Sequence, residues 1–588
     1  MGEGKVIGIM INPFGRAFSD EIIKGEKVRK IQEIDESSDK QSQSNIIFFI
    51  LMLIVGLGIL LARLFVLTII EGDRYKKLAS GNRIREEKIV APRGIIYDRN
   101  GRALVRNIPL FKGSNNEVYF ERKPSTISAE LQESVTREYI FGDTVAHAVG
   151  FIGEAGENED REPGDIVGKM GVEKSYDDIL HGVSGRELTE VDAMGEQVRV
   201  LGRIEPIAGR NLTLSIDLDL QKIAKEDFKD KKGAIVAENP KTGEVYLLYS
   251  SPTFDPNIFI RGEEVEKVLT DENQPLFDRA TSGLYPPGST FKIVTALAAL
   301  EDGAISRDTK FEDTGILQVG AFSFSNWYFT QYGRKEGMLD IVSAIRRSND
   351  IFFYKTGEAL GIEKLAKFAK KVGVGTTSGI DIPGEEGGLM PDPQWQEKTR
   401  GQPWYLGNTY HIAIGQGDIL TTPLQINAWT NVIANSGKLC KPYLVQGPAL
   451  ANASAGKQIE QCKDLGIKKE TINLIKEGMK EACSPGGTGW PMFKFKIANS
   501  KLKIDGIDFF PTAEATISGQ PMVEIPVGCK TGTAEFGDSK GRTHALFTIF
   551  APVVNPQISV TVVVEGGGEG SNVAAPIAKK ILESWFEK

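Results

Sequence analysis

Histidine is scarce in this chain: four residues among 588, His147, His181, His411 and His544, far apart in sequence. Neither an H-E-x-x-H nor a C-x-x-C spacing occurs, so no metal or cofactor is expected. A basic excess is also missing. The net charge of −8 argues against nucleic acid as the partner, because phosphate binding needs a positive surface. There is no internal repeat and no long low-complexity tract. What remains is the composition of a folded protein, 41% hydrophobic and 25% charged, enough for a sizeable core. The length exceeds one ordinary domain, so at least two are expected.

One long apolar run stands out. Ile46 to Ala62 carries no charge, Arg63 interrupts, and Leu64 to Ile70 is apolar again apart from Thr68. At helical rise this spans a hydrocarbon core of roughly 30 Å, with Arg63 near one end, where it can snorkel to the headgroups. A cleaved signal peptide would not follow a polar tail of this length, and no small-residue cleavage pattern comes after it. The expectation is an uncleaved single-pass anchor over 46–70. Lysines and arginines flank both ends (Lys24, Lys27, Arg29 and Lys30; Arg74, Lys76, Lys77, Arg83 and Arg85), so the positive-inside rule does not orient it. Four cysteines follow, Cys440, Cys462, Cys483 and Cys529. In an oxidising space they can form up to two disulfides; four buried thiols are the alternative.

Residues 1–45 are polar and read as a cytoplasmic tail. Residues 71–215 carry short β-like runs such as Gly94–Tyr97 and Asn211–Ile216, broken by Gly, Pro and charge, and read as an irregular, extended module. From about Gly233 the texture changes. Ala234–Ala237 and Val245–Leu248 flank Asn239-Pro240-Lys241-Thr242-Gly243 and predict a hairpin. Pro286-Pro287-Gly288 breaks the chain before a helix over Ser289–Leu300. Ile341–Val374 predicts two amphipathic helices around Gly361. Leu546–Phe550 and Ile558–Val564 predict a second hairpin turning at Asn555-Pro556, and a last helix runs over Val573–Phe586. Strands at both ends with helices between predict an α+β domain in which the two hairpins share a sheet.

The chemistry is carried by three short elements. Ser289-Thr290-Phe291-Lys292 is an S-x-x-K at a helix start, and this spacing puts the lysine amine within reach of the serine hydroxyl. A serine is a weak nucleophile until a base takes its proton. Lysine is such a base only when burial or a nearby cation lowers its pKa, and Lys530 can supply that cation. Elsewhere the spacing is uninformative: Ser37–Lys40 lies in the tail, and Ser500–Lys503 lacks the helix-start context. K-T-G occurs three times: Lys241-Thr242-Gly243 in a turn, Lys355-Thr356-Gly357 in a helix, and Lys530-Thr531-Gly532 after the strand-like Val523–Val527. On a strand, Thr531 and Thr533 share one face, suited to binding a carboxylate. Between the two lies Ser348-Asn349-Asp350, which reads either as a helix N-cap or as a third hydroxyl that relays a proton to a leaving amine. The order S-x-x-K, S-x-N/D, K-T-G is the set of penicillin-binding proteins and class A β-lactamases.

From the anchor to its end the chain resembles the class B penicillin-binding proteins, in particular the elongation-type transpeptidases of the penicillin-binding protein 2 group. Pro92-Arg93-Gly94-Ile95-Ile96-Tyr97-Asp98-Arg99-Asn100-Gly101 resembles the opening of the family's pedestal, and Gly168-Lys169-Met170-Gly171-Val172-Glu173 and Leu180-His181-Gly182 its later part. Tyr285 to Lys292 resembles the active-site segment. Gly415-Gln416-Gly417, Thr422-Pro423-Leu424-Gln425, His544 and Glu565-Gly566-Gly567-Gly568 are similar to the elongation type. Position 350 is Asp where Asn is usual in the wider superfamily, Leu546 stands where Trp is usual, and the stretch between Val105 and Tyr139 is shorter than the family's pedestal head.

The resemblance implies an antiparallel sheet with helices on both sides (216–588), preceded by the tail (1–45), a single transmembrane helix (46–70) and a β-rich pedestal (71–215). It implies a peptidoglycan D,D-transpeptidase of cell elongation, in the bacterial cytoplasmic membrane with its catalytic domain outside. Ser289 would attack the donor stem peptide at D-Ala-D-Ala and release D-Ala, with Lys292 as base and Ser348, beside Asp350, as proton shuttle. Lys530, Thr531, Gly532 and Thr533 would hold the terminal carboxylate, and a neighbouring stem-peptide amine would accept the acyl group. β-Lactams would acylate the same serine, and a SEDS-family glycosyltransferase is the implied partner. A β-lactamase would need a deacylating carboxylate, which the sequence does not identify, and needs neither anchor nor pedestal. A non-catalytic β-lactam sensor or structural subunit is the other alternative. A bifunctional enzyme is excluded by the lack of an E-D-x-x-F pattern in 71–215.

Overall fold

The computed structural model describes residues 38–588, apart from 82–83, 114–116, 123–131, 158, 160, 163, 193, 195–196, 448–461, 499–501, 505–506, 510, 518–519, 538 and 588. Most of the expected tail, together with Ser37 and Ser500, lies outside the described residues. The chain divides into two compact units, residues 1–85 with 189–199, and residues 86–188 with 200–588.

In the first unit, α1 (Ser38–Phe65) continues into a π-helical turn, Val66–Ile70. Ile46–Ile70 is long and apolar enough to cross a membrane, with a mean hydropathy of 2.8 and none of its most apolar window buried. Uniform apolarity without a covered face is the pattern of a helix that meets lipid rather than a protein core.

The second unit begins with strands β1 (Ile96–Tyr97), β2 (Ala103–Lys112), β3 (Gln132–Tyr139) and β4 (Leu212–Thr213). β3 lies antiparallel on β2, and β4 runs parallel to β1. The motifs quoted for this region meet in space. Arg93 Nη2 is 2.7 Å from Glu173 and 2.8 Å from Asp177, and Arg137 closes on Glu173 at 2.8 Å. Glu173 is fully buried, and a buried carboxylate persists only when paired in this way. The sequence reads this stretch as loosely built, but it shares a core with the residues that follow. Ile96, Leu104, Val105, Val149 and Leu212 pack with Ala234, Val236, Leu248, Leu424 and Val445. Short-range periodicity is blind to such packing.

Next come α2 (Leu218–Asp227), capped by Asp217, and the hairpin β5 (Gly233–Glu238) and β6 (Val245–Ser251). Helices then dominate, with short strand pairs such as Phe311–Asp313 with Gly337–Leu339 between them: α3 (Lys292–Asp302), α4 (Trp327–Tyr332), α5 (Ile341–Arg347), α6 (Asp350–Leu360), α7 (Ile362–Lys371), α8 (Leu406–Ala413), α9 (Pro423–Ala434) and α10 (Lys469–Ala482). The chain closes with β7 (Gly528–Glu535), β8 (Thr543–Ala551), β9 (Ile558–Val564) and α11 (Ala574–Phe586). The region expected as two helices around Gly361 forms three. Ser348 adopts left-handed backbone, with φ of 52°, which ends α5 one residue before Asn349 caps α6.

The five-stranded antiparallel sheet runs β6-β5-β9-β8-β7, so the first and last hairpins do share it, with Gly233 opposite Val564. Alternate side chains supply its two faces. Phe547, Ile549, Val560 and Val562 pack under α2 and α11, while Leu546, Phe550 and Val563 pack under the helical half. Every residue of α9 is buried. Its start is fixed by a capping box in which Thr422 Oγ1 accepts from the Gln425 N–H and Gln425 Oε1 accepts from the Thr422 N–H. β7, at the edge of the sheet, carries Lys530 on the side of the segments that hold Ser289, just before α3, and Ser348, between α5 and α6.

Candidate active site

Ser289 lies in a 3-10 turn, Gly288–Thr290, immediately before α3, rather than within the α-helix itself. Two contacts fix the turn against the strand and the Gly415 loop. The Gly288 N–H donates to Gly415 O at 2.8 Å. A Cβ on Gly288 would sit 2.8 Å from Thr533 O, at a φ of 51°. Both the close approach and the left-handed backbone therefore require glycine there. Thr290 Oγ1 donates to Pro287 O at 2.7 Å, which ties the turn to the rigid Pro286-Pro287 pair.

Lys292 opens α3 and is fully buried. Its amine donates to Ser348 O at 2.7 Å, to Asp350 Oδ1 at 2.7 Å and to Ser348 Oγ at 3.3 Å. Among the described residues none of its hydrogen bonds goes to Ser289. Lys530, also fully buried, donates to Ser348 Oγ at 2.8 Å and to Thr531 O at 2.9 Å. The Ser348 hydroxyl thus accepts from both amines. With both lone pairs engaged, its own proton is left to point elsewhere.

Burial pushes both amines below the ordinary lysine range. For Lys292 the nearby Asp350 carboxylate opposes the shift, while for Lys530 the Lys292 charge deepens it. Asp350 opposes the effect of burial at both amines, but it is hydrogen-bonded only to Lys292.

Asp350 is held from a segment that sequence reasoning passed over. The Trp327 N–H donates to Asp350 Oδ2 at 2.8 Å, and the Asp350 N–H donates to Asn326 Oδ1 at 3.0 Å. Asn326 in turn donates to buried Asp313. Asn349 accepts from the Phe352 N–H as the N-cap of α6 and donates to Glu336 at 2.9 Å. The cap reading therefore holds for Asn349, while Ser348 and Asp350 on either side face the amines. The aromatic run Trp327-Tyr328-Phe329 was the available signal, but nothing in its spacing reveals a hydrogen bond from its backbone.

The strand-borne K-T-G is the one that joins the site. Lys241-Thr242-Gly243 forms the β5–β6 turn and Lys355-Thr356-Gly357 lies in α6. Thr531 is buried and Thr533 exposed; being two residues apart on β7 they share a face. Thr531 Oγ1 donates to Thr488 Oγ1 at 2.9 Å, and Gln416 Nε2 donates to Thr533 O at 3.2 Å. Gly532 fits because a Cβ there would come within 3.0 Å of Thr290 Cγ2.

Other residues singled out in the sequence converge at the rim. Glu565 accepts from Tyr285 Oη at 2.8 Å and from Arg279 Nε at 2.9 Å. The Gly566 N–H donates to His544 Nδ1 at 3.2 Å, and His544 stands edge-on to Tyr285. The four cysteines form two disulfides, Cys440–Cys462 and Cys483–Cys529, the second ending one residue before Lys530. Among the described residues no cluster of three or more His, Cys, Asp or Glu side chains is arranged to hold a metal ion.

Two buried amines around one hydroxyl, close in the chain to a serine at a helix start, are groups of the kind that can move protons for a nucleophilic serine. Residues 233–583 match the penicillin binding protein transpeptidase domain, and residues 114–214 the penicillin-binding protein dimerisation domain. A peptidoglycan D,D-transpeptidase MrdA of Acinetobacter baumannii is 30% identical over 94% of this chain and 89% of its own. The penicillin-binding protein PBP2 of Helicobacter pylori, solved in complex with MreC, superposes with a TM-score of 0.69 at 28% identity, covering 85% of this chain and 98% of that one. A chain from a peptidoglycan synthase complex, solved to describe the coordination of polymerization and crosslinking, gives a TM-score of 0.69 at 28% identity over 93% and 98%.

Proposed function

This chain belongs to the penicillin-binding protein transpeptidase family, and from that premise we propose that it is a membrane-anchored peptidoglycan D,D-transpeptidase of cell elongation. The observation that carries this reading is the meeting of Lys292, Ser348 and Lys530, from three separate motifs, around one hydroxyl beside the Ser289 turn.

In the proposed cycle, Ser289 Oγ attacks the carbonyl of the D-Ala-D-Ala bond as its proton passes to Lys292. The main-chain N–H groups of Ser289 and Thr533 receive the developing oxyanion; one such donor is worth on the order of 100-fold or more in rate. The C–N bond breaks, and D-Ala leaves with a proton delivered through Ser348. Lys530, Thr531 and Thr533 hold the donor's terminal carboxylate, with Gly532 keeping the strand close to the Ser289 turn. The stem-peptide amine then attacks the Ser289 ester carbonyl and loses a proton to the same relay; the acyl C–O bond breaks, Ser289 Oγ takes a proton back, and the new amide is the cross-link. Water in place of the amine would give a D,D-carboxypeptidase side reaction.

The anchor reading assigns 1–45 to the cytoplasm, 46–70 to the membrane, 71–215 to a pedestal and 216–588 to the transpeptidase domain outside. Both disulfides support the outward orientation, since such bonds persist in oxidising compartments. The partners proposed are a SEDS-family glycosyltransferase and, by analogy with the Helicobacter relative, an MreC-like scaffold.

The test is labelling of the purified protein with a fluorescent penicillin, wild type beside Ser289→Ala, with peptide mapping and a parallel cross-linking assay on stem peptides. Stable label on Ser289 that vanishes in the variant, together with cross-linked product, is expected. Rapid turnover of the label would support a β-lactamase instead, and label without cross-linking a sensor.

A further inference from the structure

Thr488 belongs to none of the three motifs, yet it contacts the third. It lies in the loop Ser484-Pro485-Gly486-Gly487-Thr488-Gly489, directly after α10, and receives the Thr531 hydroxyl at 2.9 Å. This loop is unusually well fixed. At its start, Cys483 is bonded to Cys529, the residue before Lys530. Arg346 and Arg347, at the end of α5, donate to Pro485 O at 2.6 Å and Gly486 O at 2.7 Å; Ser348 follows them in the chain. The Gly489 N–H donates to Ala482 O at 2.8 Å.

The residues on either side of Thr488 have no room for a side chain. A Cβ on Gly487 would lie 2.2 Å from Ala482 O, and one on Gly489 would lie 2.6 Å from Cys529 Sγ. The loop therefore bridges the Ser348 segment and the Lys530 strand, and it presents a hydroxyl to Thr531.

We propose that Thr488 is a positioning residue for the donor's terminal carboxylate, acting through Thr531 by reversal of their hydrogen bond. The proposal rests on the transpeptidase reading above. A hydroxyl has one proton to donate. While Thr531 gives its proton to Thr488 it has none for a carboxylate. When the carboxylate arrives, Thr531 turns its proton to the anion and Thr488 donates to the vacated lone pair. The two hydroxyls then form a chain that ends on the negative charge, and each bond in such a chain polarises the next. No covalent bond changes, and no proton leaves either oxygen.

The experiment compares two donors with the full-length protein: an acyl-D-Ala-D-Ala peptide with its free carboxylate, and the same peptide ending in a carboxamide. Acylation of Ser289 is followed in wild type, Thr488→Val, Thr488→Ser and Thr531→Val, and in the Thr488→Val/Thr531→Val double variant, with thermal melts alongside. Thr488→Val should lower the second-order acylation rate about tenfold for the carboxylate donor, as expected for weakening a hydrogen bond to a charged group. It should change the carboxamide rate less than twofold. Thr488→Ser should restore the rate, and the double variant should lose no more than Thr531→Val alone. Equal losses on both donors would reduce Thr488 to a structural support and overturn the proposal, as would no loss on either. Wild type that fails to acylate with the carboxylate donor would instead overturn the functional reading on which the proposal rests.

Discussion

Lys530 Nζ donates to Ser348 Oγ at 2.8 Å, joining residues 182 positions apart in sequence. The same oxygen is 3.3 Å from Lys292 Nζ, so a single hydroxyl links the amines of the first and third motifs. Ser348→Ala removes that link and leaves each amine one acceptor short. General acid–base relays are worth about 100-fold or more in rate. Penicillin acylation of Ser289 should therefore fall by at least that factor while the melting temperature stays within a few degrees. Stopped-flow labelling measures the first and calorimetry the second; a loss under about threefold would remove Ser348 from the relay.

Asp350 works against burial in the protonation of the site's amines. Its carboxylate raises the pKa of Lys292, and that of Lys530 to a lesser extent, against the downward pull of burial. In Asp350→Asn both amines should shed their protons at lower pH. The acid limb of the acylation pH profile should therefore move to lower pH, measured as rate constant against pH for the variant and wild type. A limb that moves to higher pH would contradict the assignment.

Glu238 on β5 is buried, with the amides of Asn431 and Asn427 beside its carboxyl; Asn431 donates to Glu238 Oε2. Burial pushes its pKa up to about 8. The folded carboxyl keeps its proton in a range where the unfolded chain, with an ordinary glutamate pKa, has lost it. Stability from this group is thus fully present below about pH 4.3 and is lost progressively as pH rises to about 8, after which it levels off. Glu238→Gln should flatten that slope and be the more stable form at pH 9, read from urea midpoints at pH 5 and pH 9. A steeper slope in the variant would refute it.

The Cys483–Cys529 bond ties α10 to β7 across a sequence separation of 46 residues. Removing such a cross-link from a folded domain costs about 2–5 kcal/mol. Cys483→Ala/Cys529→Ala should accordingly unfold at lower denaturant than wild type under oxidising conditions. The gap should close when both are assayed in reductant. An equal midpoint without reductant would mean that the bond does not form.

The sequence was most legible where local spacing decides structure. Both hairpins and the final helix follow from alternation and turn residues, and the three motifs could be ordered before any contact was known; the strand-like run expected over Val523–Val527 instead breaks at 525–527, and Lys530 sits on a separate strand that starts at Gly528. It was less legible where the backbone departs from the commonest pattern. The 3-10 turn at Ser289 depends on Gly288 meeting Thr533 O, and the break between α5 and α6 depends on left-handed Ser348. Neither is written in hydrophobic period. Asn326, Trp327 and Thr488 escaped notice because each acts on a motif residue through one hydrogen bond from a distant segment.

The order of strands in the sheet bears on when the protein becomes an enzyme during its synthesis. β5 joins β8 and β7 only through β9, which pairs with β5 on one side and β8 on the other. A nascent chain can form the β5–β6 hairpin early, but it must hold an open sheet edge until Ile558–Val564 has left the ribosome. Lys530, made earlier on β7, can pair only with β8 before then, apart from the β5–β6 hairpin. Translation that stalls short of residue 558 therefore yields a chain with Ser289 but no assembled cleft, so the last hairpin acts as a completeness check on the catalyst.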